Sequence, residues 1–76
     1  MSTFSLDLLP INCTATIDSI FCDNSTKQRF LALGIVPNTL VTAVLVSPFG
    51  NPIAYEIRKT IIALRQEDAK SIIIKL

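Results

Sequence analysis

The sequence predicts a mostly β fold: a small barrel of about five short strands, with one helix after the first strand and a short helical turn before the last. Three observations predict it. Short runs rich in β-branched residues recur along the chain, separated by Gly, Pro and Asn turn signals. One segment, "DNSTKQRFLALG", carries helix start and stop signals around an apolar stretch. The last run, "SIIIKL", would invite aggregation as an open edge, and pairing it back to the first strand removes that hazard.

In order, "FSLDLLPIN" is a lead-in segment. Leu6 and Leu9 can pack, Pro10 halts any helix, and Asn12 tolerates a positive φ before a strand. In "CTATIDSIF", residues 13–21, Ala15 and Ile17 share one face while Thr14, Thr16 and Asp18 share the other. Ile20 falls out of that alternation, which signals a bulge or the strand's end. The helix follows. Ser25 is the expected cap, with Gln28 at the reciprocal position of a capping box. Lys27, Gln28 and Arg29 face away from the core, and Phe30, Leu31 and Leu33 form the expected buried face. Gly34 is the left-handed stop. Ile35 and Val36 run extended into Pro37, because the residue before a proline avoids the α region. Pro37 and Asn38 fit the centre of a type II turn, with Asn38 at the position that needs φ > 0.

"TLVTAVLVS", residues 39–47, is apolar on both faces and reads as an interior strand. "PFGNP", residues 48–52, is a turn with Gly50 and Asn51 at its tip. "IAYEIRK" alternates, with Ile53, Tyr55 and Ile57 in and Glu56 and Arg58 out. "TIIAL" is a further short strand. In "RQEDAK", Glu67 and Asp68 near the start and Lys70 near the end match the dipole of one helical turn. "SIIIKL" ends the fold as a strand with Ile72, Ile74 and Leu76 on one side. Phe21, Phe30 and Tyr55 fit core positions.

Composition narrows the function. The 76 residues hold one domain, 1–76. Half are hydrophobic and the mean hydropathy is +0.53. The charged fraction, 17%, is below the ~25% usual in soluble domains, which implies a very compact fold or an apolar patch left for a partner. Weak self-association is one expression of such a patch. Net charge is +1 and only Arg58 and Lys59 are adjacent cations, so no field for nucleic acid is expected. The N-terminus has no basic start, Asp7 and Pro10 interrupt its apolar stretch, and no run nears the ~18 residues of a membrane helix. The expectation is a cytosolic, membrane-free chain.

The chain has no histidine, which removes the commonest general base and metal ligand. Cys13 and Cys22 lie at neither a redox nor a zinc-ribbon spacing and read as reduced, small apolar residues. Cys22 and Asp23 are the only adjacent soft and hard ligands, and they mark a strand end leading to a helix. No serine has a nucleophile elbow, and single-glycine turns build no phosphate cradle. No catalytic, metal or cofactor residue is assigned.

The ordered pieces resemble the FeoA family. They are Ala15-Thr16-Ile17, Leu31-Ala32-Leu33-Gly34-Ile35-Val36-Pro37-Asn38, Pro48-Phe49-Gly50-Asn51-Pro52, and the stretch from Ile62-Ala63-Leu64-Arg65 through Glu67, Asp68 and Ala69 to Ile72 and Ile74. Each alone is weak, being Gly, Pro and aliphatic residues. Together, in order over nearly the whole chain, they are specific. Asn12 and Asn38 stand where the family often has Gly, and Lys59 occupies a turn where Gly is common. Lys27-Gln28-Arg29 replaces the run of arginines that often opens the helix.

The resemblance implies an SH3-like barrel and a non-enzymatic role in bacterial ferrous iron uptake. The implied partner is the cytosolic, GTPase-containing region of the FeoB-type ferrous iron transporter. The same module occurs at the end of iron-dependent repressors, and at this length the stand-alone form is expected. A small nucleic-acid-binding barrel is the alternative. Partner-contact candidates are Phe49 at a turn tip, Lys27 and Arg29 on the helix, and Arg58 and Lys59 at the other hairpin. Ser25, Gln28, Gly34, Pro37, Asn38 and Gly50 are the structural turn and cap residues.

Overall fold

Strands that alternate inward and outward residues must bury one face, and here a single sheet does so by wrapping around one core. The computed structural model describes residues 2–76. Its elements are β1 (Thr3–Ser5), a 3-10 turn (Leu6–Leu8), β2 (Thr14–Ile20), α1 (Asn24–Ala32), β3 (Leu40–Val46), β4 (Ile53–Ile57), β5 (Thr60–Leu64), α2 (Gln66–Lys70) and β6 (Ile72–Lys75). The strand order is β1-β6-β2-β3-β4-β5, antiparallel throughout. Among the described residues there are thus six strands rather than about five. The added one, β1, is three residues long and too short to show a period of two. β6 pairs with β2, as expected, and with β1 on its other side, so both of its edges are occupied.

The core draws Ala15 and Ile17 from β2, Val41 and Ala43 from β3, Ile53, Tyr55 and Ile57 from β4, Ile62 and Leu64 from β5, and Ile72 and Ile74 from β6. Leu6 and Leu9 close it from the lead-in segment, as expected. No helix among the described residues is long and apolar enough to cross a membrane.

Several expectations need correction. The register of β2 against β6 shifts between Ile17 and Ser19. That bulge restores Ile20 to the inner side, half-buried against the core, and turns Phe21 outward, 71% exposed rather than buried. α1 is capped by Asp23, not Ser25: the Asp23 carboxylate accepts the Thr26 N–H at 2.8 Å. Those hydrogen bonds from Thr26 hold its carboxyl below the usual carboxylate range. Gln28 therefore closes no capping box and lies at the helix surface. Of the expected apolar face of α1, only Phe30 is buried, while Leu31 and Leu33 are exposed. Consecutive helix residues point about 100° apart, so burying Phe30 carries Leu31 away from the core. β3 has two neighbours, yet its outer face is bare: Leu40 and Leu45 face solvent. Leu76, beyond β6, is also exposed.

The turns follow the sequence. Asn12, Gly34, Asn38 and Gly50 all have positive φ. The Asn12 N–H donates to the Ala43 carbonyl at 2.7 Å and the Asn38 N–H to the Ile17 carbonyl at 2.7 Å, which ties both turns to strands. Gly34 has φ +84°, and a Cβ built there would meet the Arg58 side chain at an ordinary 3.7 Å. The requirement for glycine is therefore one of backbone conformation rather than of space. Gly34→Val should cost about 1–3 kcal/mol, with each kcal/mol lowering Tm by about 4–8 °C. Gly34→Asn should cost less, because Asn visits the left-handed region readily. An unchanged Tm for the valine variant would contradict this stop.

Tyr55 spans the core, and its hydroxyl donates to the Leu6 carbonyl at 3.3 Å. Burial, helped by the negative charge of Asp7, pushes its pKa up to about 12. The folded state thus holds this proton between pH 10 and about 12 while the unfolded state releases it. Stability from this group is fully present below pH 10 and falls as pH rises through that window. Tyr55→Phe should flatten the fall, measured as urea midpoints across the same range.

Candidate functional site

Phe49 is set in place by a hydrogen-bonded turn. The Gly50 N–H donates to the Ser47 carbonyl at 2.8 Å, and the Ser47 N–H and hydroxyl both donate to the Pro52 carbonyl. The Asn51 side-chain oxygen accepts the Gln66 N–H at 2.9 Å, which ties the turn to the start of α2. The Asn51–Pro52 peptide is cis. Phe49 projects from this frame with 96% of its surface exposed, so it does not fold back over the core.

Arg58 and Lys59 form the two-residue tip between β4 and β5, both left-handed at φ 53° and 66°. This is the primed hairpin turn, usually built with Gly or Asn. The tip lies at the opposite end of β4 from Phe49. Five strand residues separate them, on the order of 17 Å. Arg58 lies instead beside Gly34 at the end of α1. Arg29 is drawn to Asp68 of α2, at 3.0 Å, and stacks over Phe30 with its guanidinium 5.6 Å from the ring centroid. It links the two helices at the surface. Lys27 stands at the rim of a groove. The five candidates therefore do not converge on one patch.

That groove was not expected from the sequence. Ile20, Leu31, Ile35, Val36 and Pro37 line it, with Lys27 and Gln28 at its rim, and it encloses about 250 Å³. Phe21, also exposed, follows Ile20 in the chain. The signal was present in "FLAL", where adjacent apolar residues cannot all face one core.

Cys13 is exposed and Cys22 half-buried, and both are free. Among the described residues, no three or more Cys, Asp and Glu side chains gather where they could hold a metal ion.

The chain matches the FeoA domain model over residues 4–76. Its structure is similar to iron(II) transport protein A from Clostridium thermocellum, with a TM-score of 0.92 and 26% identity, over 96% of this chain and 45% of that one. It is similar to a FeoA-like protein from Clostridium acetobutylicum, with a TM-score of 0.89 and 24% identity, over 100% of this chain and 88% of that one. It is also similar to zinc-complexed FeoA from Stenotrophomonas maltophilia, with a TM-score of 0.83 and 26% identity, over 95% of this chain and 89% of that one. That protein is described as an SH3-domain protein and suggested to be a ferrous iron transport activating factor. The mostly β fold read from turn and strand signals, and the SH3-like form that the resemblance implies, are thus the observed ones, and the chain belongs to the FeoA domain family.

Proposed function

We propose that this chain is a non-enzymatic, cytosolic adaptor of bacterial ferrous iron uptake. It binds the cytosolic, GTPase-containing region of the FeoB-type transporter and meets the membrane only through that partner. The FeoA-domain match over residues 4–76 carries this reading. The surface agrees with it. Phe49 is an exposed apolar ring on an ordered turn, the kind of side chain that can anchor a protein contact. The absence of histidine from the sequence favours a role without chemistry of its own.

The test is a titration of this protein against the soluble cytosolic region of the cognate transporter, with GDP, with a GTP analogue and without nucleotide. Saturable binding in at least one state is expected. No binding into the high micromolar range would remove the direct contact. The nucleic-acid alternative is separated by salt: phosphate binding weakens steeply with added salt, an apolar-centred protein contact much less. No observation in the fold favours that alternative.

A further inference from the structure

The sheet leaves β5 with one neighbour, β4. Ile57 and Thr60 close a two-residue hairpin, so Thr60, Ile62 and Leu64 direct their backbone groups to β4. Ile61 and Ala63 then direct theirs to the open edge. Among the described residues, no backbone group of another segment bonds to either. The side chains of Ile61 and Ala63 are exposed on the outer face. Ala63 continues a row with Ala54 and Leu45 across β4 and β3. The strand carries no charge, no Pro and no Gly, the features that normally protect an edge.

The charges lie at the ends. Arg58 and Lys59 precede β5 and Arg65 follows it. Of the carboxylates nearby, Glu67 pairs with Arg65 at 3.6 Å, and Glu56 stands one strand further in, opposite Ile61. A second copy pairing antiparallel about Ile62 would set Lys59 against Arg65 at both ends, and like charges directly opposite are destabilising. An apolar strand with acidic ends meets cations at both ends instead.

We propose that the open edge of β5 is a strand-addition site for an extended apolar segment flanked by Asp or Glu. The incoming strand exchanges backbone hydrogen bonds with Ile61 and Ala63 and places its end carboxylates beside Lys59 and Arg65. The hairpin ties the two groups of surface candidates together. Asn51 binds Gln66 at the Arg65 end of β5, which sets the turn that carries Phe49 at that end, while Arg58 and Lys59 mark the other end. The proposal rests on the adaptor reading for where such a segment comes from, namely the partner's cytosolic region.

The first probe is a capped peptide, Glu-Thr-Val-Ile-Val-Thr-Glu, titrated against the intact chain with amide shifts followed by NMR. Saturable shifts along Thr60–Leu64 are expected. The same core with Lys ends should bind at least about fivefold more weakly. N-methylation of the two valines, which removes the donors that would face Ile61 and Ala63, should abolish binding. Ala63→Pro should do the same from the protein side, because the N–H it removes is not used within the sheet. If that variant fails to fold, the N-methylated peptide decides on the unaltered protein.

Shifts confined to the groove beside α1, equal binding of the Lys-ended peptide, or no binding to millimolar concentration would overturn the proposal. So would shifts along β5 that grow with protein concentration alone, since these would mark a second copy. The transporter titration separates the two readings. If Ala63→Pro binds the transporter region as tightly as the natural chain, the adaptor stands and the β5 site fails. If the acidic peptide binds β5 and the transporter region does not bind, the site stands and the adaptor reading fails.

Discussion

Phe30→Ala is expected to leave the domain largely unfolded at room temperature. Phe30 is the one buried residue of α1, fully enclosed by the barrel core. Its backbone carbonyl also accepts from the N–H groups of Leu33 and Ile35 at 3.0 and 2.9 Å, so the residue joins the helix to the segment that follows. Truncating a buried Phe costs about 3–5 kcal/mol. A core in a chain this short rarely supplies more than ~3–5 kcal/mol in total. The loss therefore equals what is available. Far-UV circular dichroism and a urea titration would show it directly. A Tm within a few degrees of the natural protein would mean that α1 is held by something other than Phe30. The Arg29–Asp68 pair is a weak substitute, since exposed ion pairs are worth ~0–1 kcal/mol.

Phe49→Ser should behave in the opposite way. The ring is 96% exposed, so the fold loses little and stability should stay within about 0.5 kcal/mol. Binding to the transporter's cytosolic region should weaken by at least ~2 kcal/mol, about thirtyfold, as expected for an aromatic anchor. Paired thermal melts and binding titrations check both halves. A large fall in Tm with unchanged affinity would return Phe49 to a structural role.

The parts of this fold legible in sequence are those set by one residue's own backbone preference. Gly34, Asn38 and Asn12 announce positive φ because few other residues tolerate it, and all three adopt it. Ile53, Tyr55 and Ile57 announce their face by strict alternation. The errors lie where a neighbour decides. "DNST" offers four residues able to cap, and the path of the chain from β2 selects Asp23 over Ser25. One extra residue in β2 reverses the faces after it, which is why Phe21 is outside. The surface was legible as a list of side chains, with Phe49 prominent, but not as a map. That Phe49 and the Arg58-Lys59 tip lie at opposite ends of β4 follows from their order in the chain, but only the strand order shows an unpaired edge running between their neighbourhoods.

The place of β6 bears on how the chain is made. β6 contains the residues translated after every other strand, and it lies between β1 and β2, near the start of the chain. Among the described residues, β1 pairs with β6 alone. A nascent chain whose Ile72–Lys75 is still inside the ribosome can form the β2–β3–β4–β5 meander but cannot recruit β1 or seal that side of the core. The meander can form while β6 is still enclosed, but the core is completed only after β6 emerges. A chain stalled or cut before Ile72 would present the unpaired side of β2 to the cell's quality control.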